Sequence, residues 1–226
     1  MAEQHAANRA IGLFGGTFDP LHLGHLRMAE EVCEALSLSQ MRLIPAAIPP
    51  HRSQPLLDAA TRLSLVGQSI ADNPRLCLDD REHRMAGKSY TARTVQDIRA
   101  QWPDRGLVMV LGVDAFNGFP EWYQPQVVLA QVNLVIVHRP QYSIEPAAMR
   151  LLAEHEVSIE ALRQKLSAQP KTTGCIARLP TTALAISATE LRAMIEQRRS
   201  IRYLVPEPVY NHFQSDMNSQ SFINYD

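Results

Sequence analysis

Cysteine is scarce in this sequence of 226 residues: Cys33, Cys77 and Cys175 stand far apart, with no C-x-x-C pair and an odd total. That excludes a disulfide framework and a thiolate zinc site, and it fits a reducing, cytoplasmic setting. No apolar run approaches the roughly 18 residues of a membrane span. The opening MAEQHAANRA also lacks the positive-then-apolar pattern of a leader, so a soluble, unprocessed protein is expected. Lysine is nearly absent, with three against nineteen arginines, and the net charge is −1. No overall field draws such a chain to nucleic acid or to an anionic membrane, so neither is expected as a partner and any phosphate binding has to be local. Internal repeats and low-complexity tracts are missing too. What the chain does have is 46% hydrophobic residues, enough to bury a full core as one domain.

Short apolar runs alternate with segments of helical period. AIGLFGG (10–16), MRLIPA (41–46), RLCLDD (75–80), GLVMVLGVDA (106–115) and NLVIVHRP (133–140) read as strands. GHLRMAEEVCEALSL (24–38), with Leu26, Ala29, Cys33 and Leu36 on its buried face, DAATRLSLVGQSIA (58–71) and TARTVQDIRAQW (91–102) read as helices. This β-α alternation predicts parallel strands joined by right-handed crossovers, an α/β, doubly wound, Rossmann-like sheet flanked by helices. Residues 141–173 break the rhythm with two polar helical patterns and read as a helical insertion or lid. A last strand near CIARLPTTALAIS leads into the helix SATELRAMIEQRRS (187–200), and VPEPVYNHFQ forms a short closing helix. The small helical C-terminal portion thus spans 187–214, and residues 215–226 read as a loose tail.

The stretch GGTFDPLHLGH, from Gly15 to His25, concentrates three glycines, two histidines and an acid. Gly15 and Gly16 end the first strand and permit a turn in which N–H groups converge just before a helix, which makes an anion site. His22 and His25 are three apart and point the same way if the helix begins there. A zinc site would need more ligands than the nearby Asp19, and no H-E-x-x-H pattern is present, so no metal ligands are assigned. The order Gly12, Gly15, Gly16 is not G-x-G-x-x-G, which removes the dinucleotide fingerprint. From these residues alone, a glycine turn with two surface histidines remains as open as a phosphate cradle.

With HLGH after GGTFDP, the stretch resembles the nucleotidylyltransferase superfamily. ISATELR (186–192) is similar to that superfamily's second element, where Ser187 can cap a helix and Arg192 lies on its first turns. Between them, IPPHR (48–52), KSYTARTV (88–95), GVDAFNGFPEWY (112–123), VHRP (137–140) and YLVPEPV (203–209) resemble the bacterial nicotinate-mononucleotide adenylyltransferases, in family order over about 200 residues. Ala188 and Arg52 depart from the residues most common in that family without removing an indispensable group.

The resemblance implies a single nucleotidylyltransferase domain over 1–214 that transfers AMP from ATP to nicotinate mononucleotide, giving deamido-NAD and pyrophosphate with Mg²⁺ accompanying ATP. It implies catalytic roles for His22, His25 and Arg192, and ATP binding by Gly15, Gly16, Thr17, Phe18, Asp114, Arg139, Ser187, Thr189 and Arg192. It further implies mononucleotide binding by His51, Thr91, Trp122 and Tyr123. Without the family, Trp122 beside Pro120 would read as a packed loop anchor and Asp114 as a helix cap. His83, His138, His155 and His212 carry no such context. A monomer or small homo-oligomer is expected. The alternatives are an adenylyltransferase preferring nicotinamide mononucleotide or another substrate, and a nucleotide-sensing module without catalysis.

Overall fold

The computed structural model describes residues 10–50, 55–138, 143–182 and 184–221, with the side chains of His138 and of residues 216–221 left aside. Seven strands form one parallel sheet: β1 (Ile11–Gly16), β2 (Gln40–Pro45), β3 (Leu76–Leu78), β4 (Leu107–Gly112), β5 (Asn133–His138), β6 (Glu156–Val157) and β7 (Ile176–Pro180), in the order β3-β2-β1-β4-β5-β7-β6. The expected doubly wound sheet is therefore present. Chain direction across it reverses between β1 and β4, and in open α/β sheets ligands bind outside the carboxyl ends of the strands at such a point.

The strands are apolar on both faces because both are covered. In β4, Val108 and Val110 join one core while Leu107, Met109 and Leu111 join the other; Val135 and Val137 alternate with Leu134 and Ile136 in the same way along β5. Helices α1 (Leu23–Leu36), α2 (Ala59–Ser69), α8 (Ile159–Ala168), α9 (Ala188–Glu196) and α10 (Glu207–Ser221) contribute to the first core. Helices α4 (Thr91–Gln101), α5 (Val113–Gly118), α6 (Pro125–Gln131) and α7 (Pro146–His155) contribute to the second. One further turn of helix, α3 (Arg81–Arg84), follows β3.

Several boundaries differ from the sequence reading. GLVMVLGVDA does not stay extended: β4 stops at Gly112 and Val113 begins α5, where Val113 and Phe116 remain buried on a helical spacing. The last strand ends at Pro180, whose missing N–H cannot continue a ladder. Helix α10 runs to Ser221, beyond residue 214, since no glycine or proline interrupts 209–221. In α1 Met28 and Val32 are buried along with Ala29, Cys33 and Leu36, while Leu26 is only partly covered. Residues 141–173 contain the expected helices as α7 and α8. Ala148, Leu152, Leu162 and Leu166 are buried in the two cores, and β6 between the helices pairs with β7, so this segment is the crossover that adds the sheet's last edge.

Candidate active site

Parallel pairing sets several strand ends side by side. Gly16 is opposite Pro45 and Gly112 is opposite Val137, while the β1–β4 ladder stops at Leu13 with Met109, short of both strands' carboxyl ends. At this edge a Cβ on Gly16 would meet the Phe18 ring at 3.1 Å, so that ring requires the glycine. A Cβ on Gly15 would meet nothing closer than 3.9 Å. Protein packing leaves the space above Gly15 open. Thr17 follows half-buried, and Phe18 is buried with φ of 50°, a left-handed conformation uncommon for an aromatic residue.

Helix α1 starts within this loop. His22 is its N-cap and is 1% exposed, and its imidazole stacks on that of His25 with centroids 3.6 Å apart and planes 23° apart. A Cβ on Gly24 would lie 3.0 Å from His22 Nδ1, so the glycine of H-x-G-H is what admits the His22 ring. The edges of Phe14 and Phe18 flank His25, with centroids at 5.9 and 5.2 Å. The His22 N–H donates to His25 Nδ1 at 3.3 Å. An accepting Nδ1 puts the proton of a neutral His25 on Nε2, leaving that nitrogen as a donor. The Leu23 N–H donates to the Leu204 carbonyl at 3.0 Å, so the YLVPEPV segment anchors the start of this helix.

The second motif joins the first directly. Ser187 caps α9, accepting from the Glu190 N–H at 3.1 Å. Arg192, one turn on, donates to the Asp19 carbonyl at 2.9 Å and to Thr189 Oγ1 at 3.2 Å. The Asp19 carboxylate accepts from the N–H groups of Leu56 and Leu57, both at 2.9 Å. Two stretches some 170 residues apart in sequence are thereby held as one cluster of donors at the ends of two helices.

Across the edge, aromatic rings replace this polar cluster. Thr91 opens α4 behind its N-cap Tyr90, whose ring lies 4.6 Å from that of Tyr123. Tyr123 is 44% exposed. Trp122 is half-buried with its ring 5.3 Å from Phe119, the packing of a loop anchor. Asp114 is exposed on the first turn of α5, and its Oδ1 stands 2.6 Å from where a Gly112 Cβ would be. Behind these rings, Ser89 Oγ accepts from the N–H groups of Ala47 and Ile48, at 3.0 and 3.2 Å. Glu82 accepts from Thr94 Oγ1 at 2.6 Å; burial pushes its carboxyl pKa up, opposed by hydrogen bonds from Thr94 and Ser89.

The structure therefore gathers Gly15, Gly16, Thr17, Phe18, His22, His25, Ser187, Thr189 and Arg192 on one side, and Thr91 with Tyr123 on the other. His51 and Arg139 fall outside the described residues. Three contributors escaped the sequence reading. Asp19 was weighed only as a metal ligand, Ser89 lies in the SYT element from which Thr91 alone was taken, and Leu204 acts through a carbonyl that any residue carries.

The profile of the Cytidylyltransferase-like family matches residues 13–194. A Halorhodospira halophila protein named "Probable nicotinate-nucleotide adenylyltransferase" is 42% identical over 201 residues, covering 89% of this chain and 91% of its own length. A Chromohalobacter salexigens protein of the same name is 41% identical over 213 residues, covering 92% and 95%. Among solved structures, Plasmodium falciparum nicotinic acid mononucleotide adenylyltransferase complexed with NaAD is similar with a TM-score of 0.70 over 95% of this chain and 98% of that one. Its sequence identity is 14%, so this likeness speaks for the fold.

Proposed function

The chain belongs to the cytidylyltransferase-like family, and from that premise we propose that it transfers AMP from ATP to the 5′-phosphate of nicotinate mononucleotide, yielding deamido-NAD and pyrophosphate in NAD biosynthesis. The observation that carries the reading is the contact of Arg192 with Asp19, which joins the two phosphate-directed motifs in one site. The incoming phosphate monoester has a second pKa of about 6, so at neutral pH it is already largely dianionic and needs no protein base. The reaction instead needs two anions held in line, with charge on the α-phosphate and the leaving pyrophosphate neutralised as the transition state forms.

His25 Nε2 donates to the α-phosphate and His22 serves the bridging region or the incoming phosphate. The N–H groups at Gly15, Gly16 and Phe18 and the Thr17 hydroxyl surround the substrate phosphates, and Ser187, Thr189 and Arg192 hold the β- and γ-phosphates. Asp114 and Arg139 serve the nucleotide's ribose and base. Thr91, Trp122, Tyr123 and His51 receive the pyridine nucleotide, where N–H and hydroxyl donors favour a carboxylate over an amide. Among the described residues no three His, Cys, Asp or Glu side chains group as a metal cage. In this reading Mg²⁺ accompanies ATP as part of the substrate. When bound, Mg²⁺ neutralises part of the triphosphate charge.

No described helix is long and apolar enough to cross a membrane. The proposed enzyme is cytoplasmic and acts as a monomer or small homo-oligomer. The test is incubation of the purified chain with ATP, Mg²⁺ and nicotinate mononucleotide. Deamido-NAD and pyrophosphate formed one for one are expected, and absence of both would overturn the reading.

A further inference from the structure

Arg62, on α2, is the bulkiest of the fully buried side chains among the described residues and is 1% exposed. Its guanidinium donates to four backbone carbonyls: Thr17 and Ala46 at 2.7 Å, Leu57 at 3.2 Å and Ala47 at 3.3 Å. These belong to the loop after β1, the loop after β2 and the segment before α2. Burying a cation is costly, and an apolar side chain of similar volume would fill the same space without that cost. The use of an arginine lies in what its fork holds.

We propose that Arg62 is a positioning residue that aims the Phe18 N–H at a substrate phosphate; the proposal rests on the phosphate-transfer reading above. A peptide unit is planar and trans, so its carbonyl and N–H point in opposite directions. Drawing the Thr17 carbonyl into the interior turns the Phe18 N–H of the same unit toward the cleft. Among the described residues no acceptor takes that N–H. The left-handed φ of 50° at Phe18 is strained for an aromatic residue and persists only where its surroundings impose it; the Arg62 bond to Thr17 is the restraint at that peptide. The same fork holds the Ala46 and Ala47 carbonyls while Ser89 Oγ holds the N–H groups of the same two peptide units, so the loop after β2 is fixed from both sides. Lysine would keep the charge but lacks the planar fork that reaches carbonyls on separate segments.

The test joins kinetics with backbone NMR. In Arg62→Lys, kcat should fall by about tenfold or more while both KM values stay within about threefold, because a donor aimed at developing charge acts mainly in the transition state. An unchanged kcat, or a loss carried entirely by KM, overturns the proposal. In wild-type protein labelled with 15N-phenylalanine, the Phe18 amide resonance should shift on adding inorganic pyrophosphate, and in Arg62→Lys that shift should vanish. A wild-type Phe18 amide indifferent to pyrophosphate overturns the proposal even if the variant fails to fold. A pyrophosphate shift in a protein that does not turn over nicotinate mononucleotide overturns the substrate assignment and leaves the positioning role standing.

Discussion

Around the end of β1, the candidate donors are backbone N–H groups, two imidazoles and a guanidinium held by partly buried hydrogen bonds, among them the His22 N–H to His25 Nδ1 and Arg192 to the Asp19 carbonyl. Around Tyr90, Trp122 and Tyr123 the surfaces are rings that rest on one another, with Tyr123 44% exposed and carried on a loop. On the function proposed above, the difference follows from what each side has to do. Stabilising charge that appears only in the transition state requires donors that are already aimed, because reorientation would consume the benefit. A flat pyridine ring is met by stacking, which tolerates small adjustments of angle and distance.

The comparison is sharpened most by His25→Ala, which should lower kcat by about 10²- to 10³-fold, the usual loss for a preorganised donor, with the circular dichroism spectrum unchanged. A folded variant with near-normal pyrophosphate release would place the chemistry elsewhere. Gly15→Ala comes next: nothing in the protein obstructs the added methyl, so Tm should hold while turnover drops about tenfold through intrusion on the phosphate. Lost stability with intact turnover would make Gly15 a packing residue. On the aromatic side, Trp122→Ala should raise KM for the mononucleotide about tenfold, the scale of one stacked ring, and leave kcat within about threefold. If KM does not move, Trp122 is only the anchor on Phe119 that its packing shows.

The smallest effect concerns Glu82, behind the aromatic side, whose carboxyl pKa is raised chiefly by burial. A group raised in the folded state stabilises below its unfolded pKa and loses that contribution as pH rises through the folded value. Glu82→Gln mimics the protonated form, so its Tm should gain on wild type as pH climbs above the ordinary carboxylate range, by about 2–4 °C per kcal/mol. Parallel Tm profiles from pH 4 to 8 would remove Glu82 from the account.

The alternation of apolar runs and helical periods predicted the parallel sheet because both faces of β4 and β5 are covered and their residues are apolar throughout. Gly112 was the point where apolarity misled: the run continues through Val113 and Phe116, but they are buried from a helix. GGTFDPLHLGH and ISATELR were legible through their resemblance to nucleotidylyltransferase motifs, whereas side-chain type and spacing alone left a glycine turn and an ordinary helix cap equally open. What escaped acts through, or upon, main-chain groups. The Leu204 carbonyl, the N–H groups at Ala47 and Ile48 and the carbonyls held by Arg62 have no signature in residue type. Arg62 itself reads as one more polar position on an amphipathic helix until the fold buries it.

The division of labour is tested most directly by measuring kcat/KM for nicotinate and nicotinamide mononucleotides in wild type and in His25→Ala, and comparing the two ratios. The account predicts that both rates fall together by orders of magnitude and that the preference for the acid survives unchanged. A preference that collapses along with the rate would show that the phosphate side also selects the substrate, and would contradict it.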